Sequence, residues 1–285
     1  MTHGSPTVLR ILLGGQLRRL REDSGITRDD AGEVIRGSGS KISRVELGRV
    51  GFKVRDVADL LTLYGVTGAR EREALLELAR RANEPGWWHR YGDLLPPGFE
   101  PYVGLEEAAS ALRVHETRWV PDLLQTEDYG RTVISVSHPT ASAEEVERRV
   151  SMLMRRQELL ARQRSPQVWV VIDEPALRRR IGDDDVMAAQ LSALLAAIEA
   201  RRAVVQVVRP VHSAIAASIG PFTLLRFAEP ALPSIVYLEH QTSALYLDKQ
   251  PDLEVYQRCW DRLSVNAEPP AATPAILTRL LDNLR

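Results

Sequence analysis

The stretch "SGSKISRVELG", residues 38–48, is the tightest constraint on this chain. Ser38 is placed to cap a helix and Gly48 to end it, which leaves about two turns between them. Ile42 and Val45, three apart, give those turns an inward side, while Ser40, Lys41, Ser43 and Arg44 fall outside. A short helix with polar groups over most of its surface is worth folding if its outer face reads something polar. Its neighbours suit that purpose. Leu9, Leu13, Leu17 and Leu20 predict a first amphipathic helix, with Gly25 as its C-terminal cap. Thr27 caps a second, "RDDAGEVIR", whose Asp29 and Asp30 favour the positive end of its dipole. "VRDVADLLTLYGV" and "AREREALLELARRA" follow as a fourth and fifth helix. Two short helices joined by a Gly-bearing turn, the second polar outside, make a helix-turn-helix. A bundle with a merely solvated polar face is the plainer alternative.

Charge is distributed to match. The 285 residues carry a net charge of −1, but residues 1–55 hold eleven Lys/Arg against six Asp/Glu, a local +5 that leaves −6 elsewhere. A basic module on an acidic body fits local attraction to a polyanion. With 44% hydrophobic and 26% charged residues the composition is globular. A lone Cys259 permits no internal disulfide, and no Cys/His spacing suggests zinc. The expected setting is a reducing cytoplasm, at the nucleoid, with no signal peptide and no membrane span.

The segment "ITRDDAGEVIRGSGSKISRVELGRV" resembles the helix-turn-helix of Xre-type (lambda-repressor-like) transcriptional regulators, without gaps from Thr27 to Glu46. Gly32 stands where a small residue lets the second and third helices approach, and Ser38 where the recognition helix is capped. The resemblance implies that this helix enters the major groove of an operator N-terminal end first. The implied DNA-binding set is Arg28, Ser38, Gly39, Ser40, Lys41, Ser43, Arg44 and Lys53. Position 28 is often Gln in that family; Arg28 suits phosphate instead. Glu46 reads as a local ion-pair partner supporting the helix.

The predicted fold class is mainly α with α+β. A five-helix helix-turn-helix domain spans 1–83, and an aromatic and Pro-rich connector, irregular and packed on the body, spans 84–104. A mixed α/β domain with a small sheet spans 105–285. "LEEAASALRVHE" is read as a helix, as are "DDDVMAAQLSALLAAIEARR" and "SAEEVERRVSMLMRRQELLARQ", the last with a Ser142–Glu145 capping box. "QVWVVI", "AVVQVV" and "PFTLLRF" read as strands, and "SIVYLEHQTSALYLD" as a pair of strands meeting near Gln241–Ser243. The segments "GWWHRYGDLLPPGFEPYVGLEEAAS", "VPDLLQTEDYGR", "RRQELL", "GPFTLLRF", "VYLEHQTSALYLD" and "YQRCWDRL" resemble the C-terminal domain of WhiJ-like actinobacterial regulators. Members are often encoded beside a small partner protein, in an arrangement likened to antitoxin–toxin pairs. In related proteins a Gly often stands where Asp122 is; if that Gly adopts positive φ, Asp tolerates it better than most residues.

Candidate chemistry in this half is sparse. Asp173 and Glu174 follow one strand, and Glu239 and His240 end another; no phosphate loop, nucleophile elbow or metal spacing accompanies them. As strand neighbours, Glu239 and His240 point to opposite faces, which argues against a dyad. Trp87, Trp88, His212, Glu239, His240 and Thr242 are the candidates for ligand or partner contact, with His212 expected beside the Glu239 edge. His89, His115 and His138 read as surface or linker residues, and Tyr237, Tyr246 and Trp260 as core. "WVPDLLQT" reads as a partner groove or, more simply, a packed helix start. No cofactor, no metal and no catalysis are expected. The function expected is a DNA-binding repressor of development, specialised metabolism or its own locus, working as a homodimer under a ligand or a small partner protein. The alternative is an antitoxin-like protein that chiefly neutralises that partner.

Overall fold

The computed structural model describes residues 5–96 and 98–284. The chain divides into two compact units, one running to His89 and including Glu229–Leu232, the other comprising Arg90–Ala228 and Pro233–Arg285.

Among the described residues the first unit holds five α-helices: α1 (Pro6–Asp23), α2 (Arg28–Val34), α3 (Gly39–Glu46), α4 (Val54–Leu63) and α5 (Ala69–Ala82). Local chemistry sets their ends. The Thr27 hydroxyl accepts from the Asp30 amide while Asp30 reaches back to the Thr27 amide, a full capping box. Leu9, Leu13 and Leu17 bury one stripe of α1 against Ile42 and Val45 of α3 and Val57, Leu60 and Leu61 of α4. Close approach is possible because side chains are missing at the crossings. A Cβ on Gly14 would lie 2.6 Å from the carbonyl oxygens of Val45 and Glu46, and one on Gly32 would lie 2.8 Å from the Ser38 carbonyl carbon. The second distance is the α2–α3 approach that Gly32 implied.

Glu46 is not locally paired. It is buried, and its partner is Arg21, 25 residues away on α1: Nε donates to Oε1 at 2.5 Å and Nη2 to Oε2 at 3.1 Å. Arg21 Nη1 also donates to the Ile26 carbonyl at 2.9 Å, which fixes the α1–α2 turn. The Glu46 hydrogen bond pushes the Arg21 pKa up further, so the guanidinium stays charged.

The second unit is built on a six-stranded sheet in the order β3-β2-β1-β4-β5-β6. Strands β1 (Ala111–Glu116), β2 (Gln167–Asp173) and β3 (Val204–Val208) run parallel. Strands β4 (Phe222–Arg226), β5 (Ile235–Glu239) and β6 (Ala244–Leu247) continue antiparallel. Helices α6 (Glu100–Ala108), α7 (Glu127–Ser137), α8 (Ala143–Gln157), α9 (Glu174–Arg178), α10 (Asp184–Glu199), α11 (Ser213–Ile219), α12 (Gln250–Asn266) and α13 (Thr273–Asp282) complete it. The β1–β2 and β2–β3 links run through helices, as parallel crossovers require. The Ser142–Glu145 capping box opens α8 as predicted.

One expectation fails here. "LEEAASALRVHE" is not a single helix: α6 stops at Ala108, and "ALRVHE" is β1, an inner strand between β2 and β4. The Ser110 amide donates to Arg226 O at 2.8 Å and leads the chain into the sheet, so pairing on both sides overrides local preference. His115 is consequently buried and not on the surface. Its Nδ1 lies 3.0 Å from Val171 O and its Nε2 3.2 Å from Ala216 O, while burial pushes its pKa down. The 84–104 span is also less irregular than expected, since it holds a 3-10 turn at Trp87–Tyr91 and the start of α6.

One sheet face packs Val171, Phe222, Leu224 and Val236 against Ala216 of α11 and Trp260 and Leu263 of α12. The other face carries Tyr237 stacked on Tyr102 at 4.1 Å. Beside it lies Arg156, a buried cation. Its Nε and Nη2 donate to the two oxygens of buried Glu106, each at 2.8 Å, and its Nη1 to Asp122 Oδ2 at 2.8 Å. Asp122 lies in a 3-10 turn and is not among the positive-φ residues, so it needs no left-handed backbone. Pro121, Leu123 and Leu124 are buried, so "WVPDLLQT" is a packed helix start and not a groove. Tyr237 and Trp260 are core as expected, while Tyr246 is half-buried.

Removing one member of a buried ion pair strands the other. Arg156→Leu should therefore lower stability by about 3–5 kcal/mol, and Arg156→Leu/Glu106→Leu by clearly less. Urea unfolding of the wild type, both single variants and the double variant measures this. A double variant as unstable as the sum of the singles would contradict it.

Candidate nucleic-acid interface

Helix α3 begins where Ser38 Oγ accepts the Lys41 amide at 3.3 Å. That bond commits the Ser38 hydroxyl to the cap and leaves the next residues to face outward. Ser40 and Arg44 are exposed, Gly39 and Ser43 half-buried, and Ile42, Val45 and Glu46 buried. The predicted inner and outer faces of α3 are therefore the observed ones.

Two depressions flank the polar ridge of α3. One, open and 650 Å³ in volume, is lined by Arg21, Glu22, Arg28, Asp29, Gly39, Ser40 and Ser43. The other, 220 Å³, is bordered by Lys41, Arg44, Lys53 and Asp56, with Gly51 and Phe52 between. The loop before α4 is fixed from beneath: the Phe52 amide donates to Asn83 Oδ1 at 2.9 Å, and Asn83 Nδ2 donates back to the Phe52 carbonyl. Lys53 thus extends from an anchored backbone.

The cations differ in availability. Arg44 and Lys53 are exposed and have no ion-pair partner among the described residues. Arg28 is exposed but its Nε lies 3.4 Å from Glu46 Oε2, a loose tether. Lys41 is engaged, its Nζ 2.8 Å from Asp56 Oδ2. Sequence reasoning missed Arg21 and Asp56. Arg21 had a signal: it continues the Leu9, Leu13, Leu17 spacing, so a charge stands on an apolar stripe. Asp56 had none, because its partner lies across a loop.

The C-terminal candidates do not converge. Glu239, His240 and Thr242 are exposed around the β5–β6 turn, which the His240 amide closes by donating to Ser243 O at 2.9 Å. His212 is exposed in a 3-10 turn after β3. Ser213, next to His212, is hydrogen-bonded to Asp173 at the end of β2, and β1 and β4 lie between β2 and β5, so strand order sets His212 apart from Glu239. Trp88 is fully buried and Trp87 half-buried, their rings T-shaped at 5.9 Å, so Trp88 offers no free surface. Buried Asp173 accepts from Ser213 Oγ at 2.6 Å; buried Glu174 holds Arg178 at 2.6 Å and Arg209 at 2.9 Å. Among the described residues no group of three or more His, Cys, Asp and Glu is placed to hold a metal ion, and no helix is long and apolar enough to cross a membrane.

Comparison with known protein families gives two matches. A Helix-turn-helix domain matches residues 12–75, the span from α1 into α5. A Domain of unknown function (DUF5753) matches residues 99–279. No curated protein and no solved structure matches. The first match, on the geometry above, makes the N-terminal unit a DNA-binding module of a regulator. By the second, which covers most of its length, the chain belongs to the DUF5753 family, joined here to an N-terminal helix-turn-helix domain.

Proposed function

We propose that the chain is a transcriptional repressor that reads an operator with α3 and holds the flanking backbone with Lys53 and Arg28. The observation that carries this reading is the pairing of an exposed, uncommitted Arg44 beside Ser40 and Ser43 with a rigid buried frame under α3. The second unit is the pairing and partner-binding half. Leu245 on edge strand β6 and Val255 on α12 are exposed apolar side chains, which suits a contact with a second copy or a small protein. The β5–β6 turn offers exposed Glu239, His240 and Thr242 to such a partner.

Arg44→Ala should cost about 1–3 kcal/mol of operator binding and alter base preference at one position. Lys53→Ala should weaken all duplexes alike and reduce the salt slope by about 0.9. Titrations on operator and random duplex at two salt concentrations measure both. Failure of the wild type to bind any duplex at low salt would overturn the reading.

A single helix-turn-helix gains affinity by pairing on half-sites about one turn apart. Light scattering on the full chain at micromolar concentration should give twice the chain mass. A monomer at that concentration would remove the pairing role.

A further inference from the structure

Lys41 and Arg44 lie three apart on α3, and Lys53 immediately precedes α4. All three border the same 220 Å³ depression. The fourth charged group on that wall is Asp56, whose Oδ2 takes Lys41 Nζ at 2.8 Å. The pair is partly sheltered, with side-chain exposures of 31% for Lys41 and 19% for Asp56, so salt screens it less than an open surface pair. Asp56 is also the third residue of α4, in the first turn, where the helix dipole favours a carboxylate. A fixed carboxylate among three cations does to Lys41 what a phosphate oxygen would do.

The geometry points to Asp56 as a built-in competitor of DNA phosphate, occupying Lys41 in the free protein. This rests on the reading that α3 docks on DNA. Counterion release scales with the cations a duplex can neutralise, and Asp56 withholds one of them. Affinity for any duplex, whatever its sequence, is then lower than the basic composition of the module suggests. Base reading by Arg44 is untouched, because Arg44 has no such partner among the described residues.

The test uses the full chain, a random-sequence duplex and the near-isosteric D56N, with K41A and K41A/D56N as controls. D56N should bind about tenfold tighter at roughly 50 mM salt, the gain shrinking to about threefold at roughly 200 mM as one more phosphate contact adds about 0.9 to the slope. The gain should vanish in K41A/D56N relative to K41A. Wild-type binding with no gain in D56N overturns the inference alone. A gain that survives loss of Lys41 also overturns it, because the effect would then be general charge. Absence of duplex binding by both wild type and D56N overturns the inference together with the DNA-binding reading.

Discussion

The first unit depends on the ion pair between Arg21 and Glu46. Arg21 closes the last turn of α1, Glu46 closes α3, and the same guanidinium holds the Ile26 carbonyl that leads into α2. One charged group therefore sets the mutual placement of three helices. Taking both charges out of water is costly, and apolar replacements of similar shape often do as well for stability. What apolar residues would not supply is direction. The two-point contact fixes the end of α3 at the place where Gly14 lets α1 approach the Val45 and Glu46 carbonyls. Ser40, Ser43 and Arg44 inherit their outward orientation from that arrangement.

The second unit uses its buried charges in a similar way. Arg156 joins Glu106 of α6 to Asp122 of the turn before α7, from a position on α8. Glu174 collects Arg178 and Arg209, and Asp173 collects Ser213 of α11. These acids sit near strand ends, where a sequence reading looks for chemistry. Their hydrogen bonds go to structural partners, which leaves the exposed groups at the β5–β6 turn and around His212 as separate surfaces.

Much of this was legible in the sequence where the determining contacts are local. Thr27, Ser38 and Ser142 announce their helices through caps formed within three residues, and Ile42 with Val45 marks the inner face of α3. The β5–β6 hairpin was readable from its alternation and its turn. What escaped depends on distant partners. "ALRVHE" becomes a strand because β2 and β4 bracket it, which also buries His115. The separation of His212 from Glu239 follows from strand order, and no local pattern encodes that. Asp56 gained a role only when α4 brought it to Lys41.

Native-state amide hydrogen exchange on Glu46→Ala tests the central claim most directly, because it reports each unit separately. An uncompensated Arg21 should lower the opening free energy of α1 and α3 amides by about 3–5 kcal/mol, speeding their exchange roughly a hundredfold or more. Amides of β1 and β2 should exchange as in the wild type. Unchanged protection in α1 and α3 would contradict the account, since the recognition helix would then be held by its apolar contacts alone.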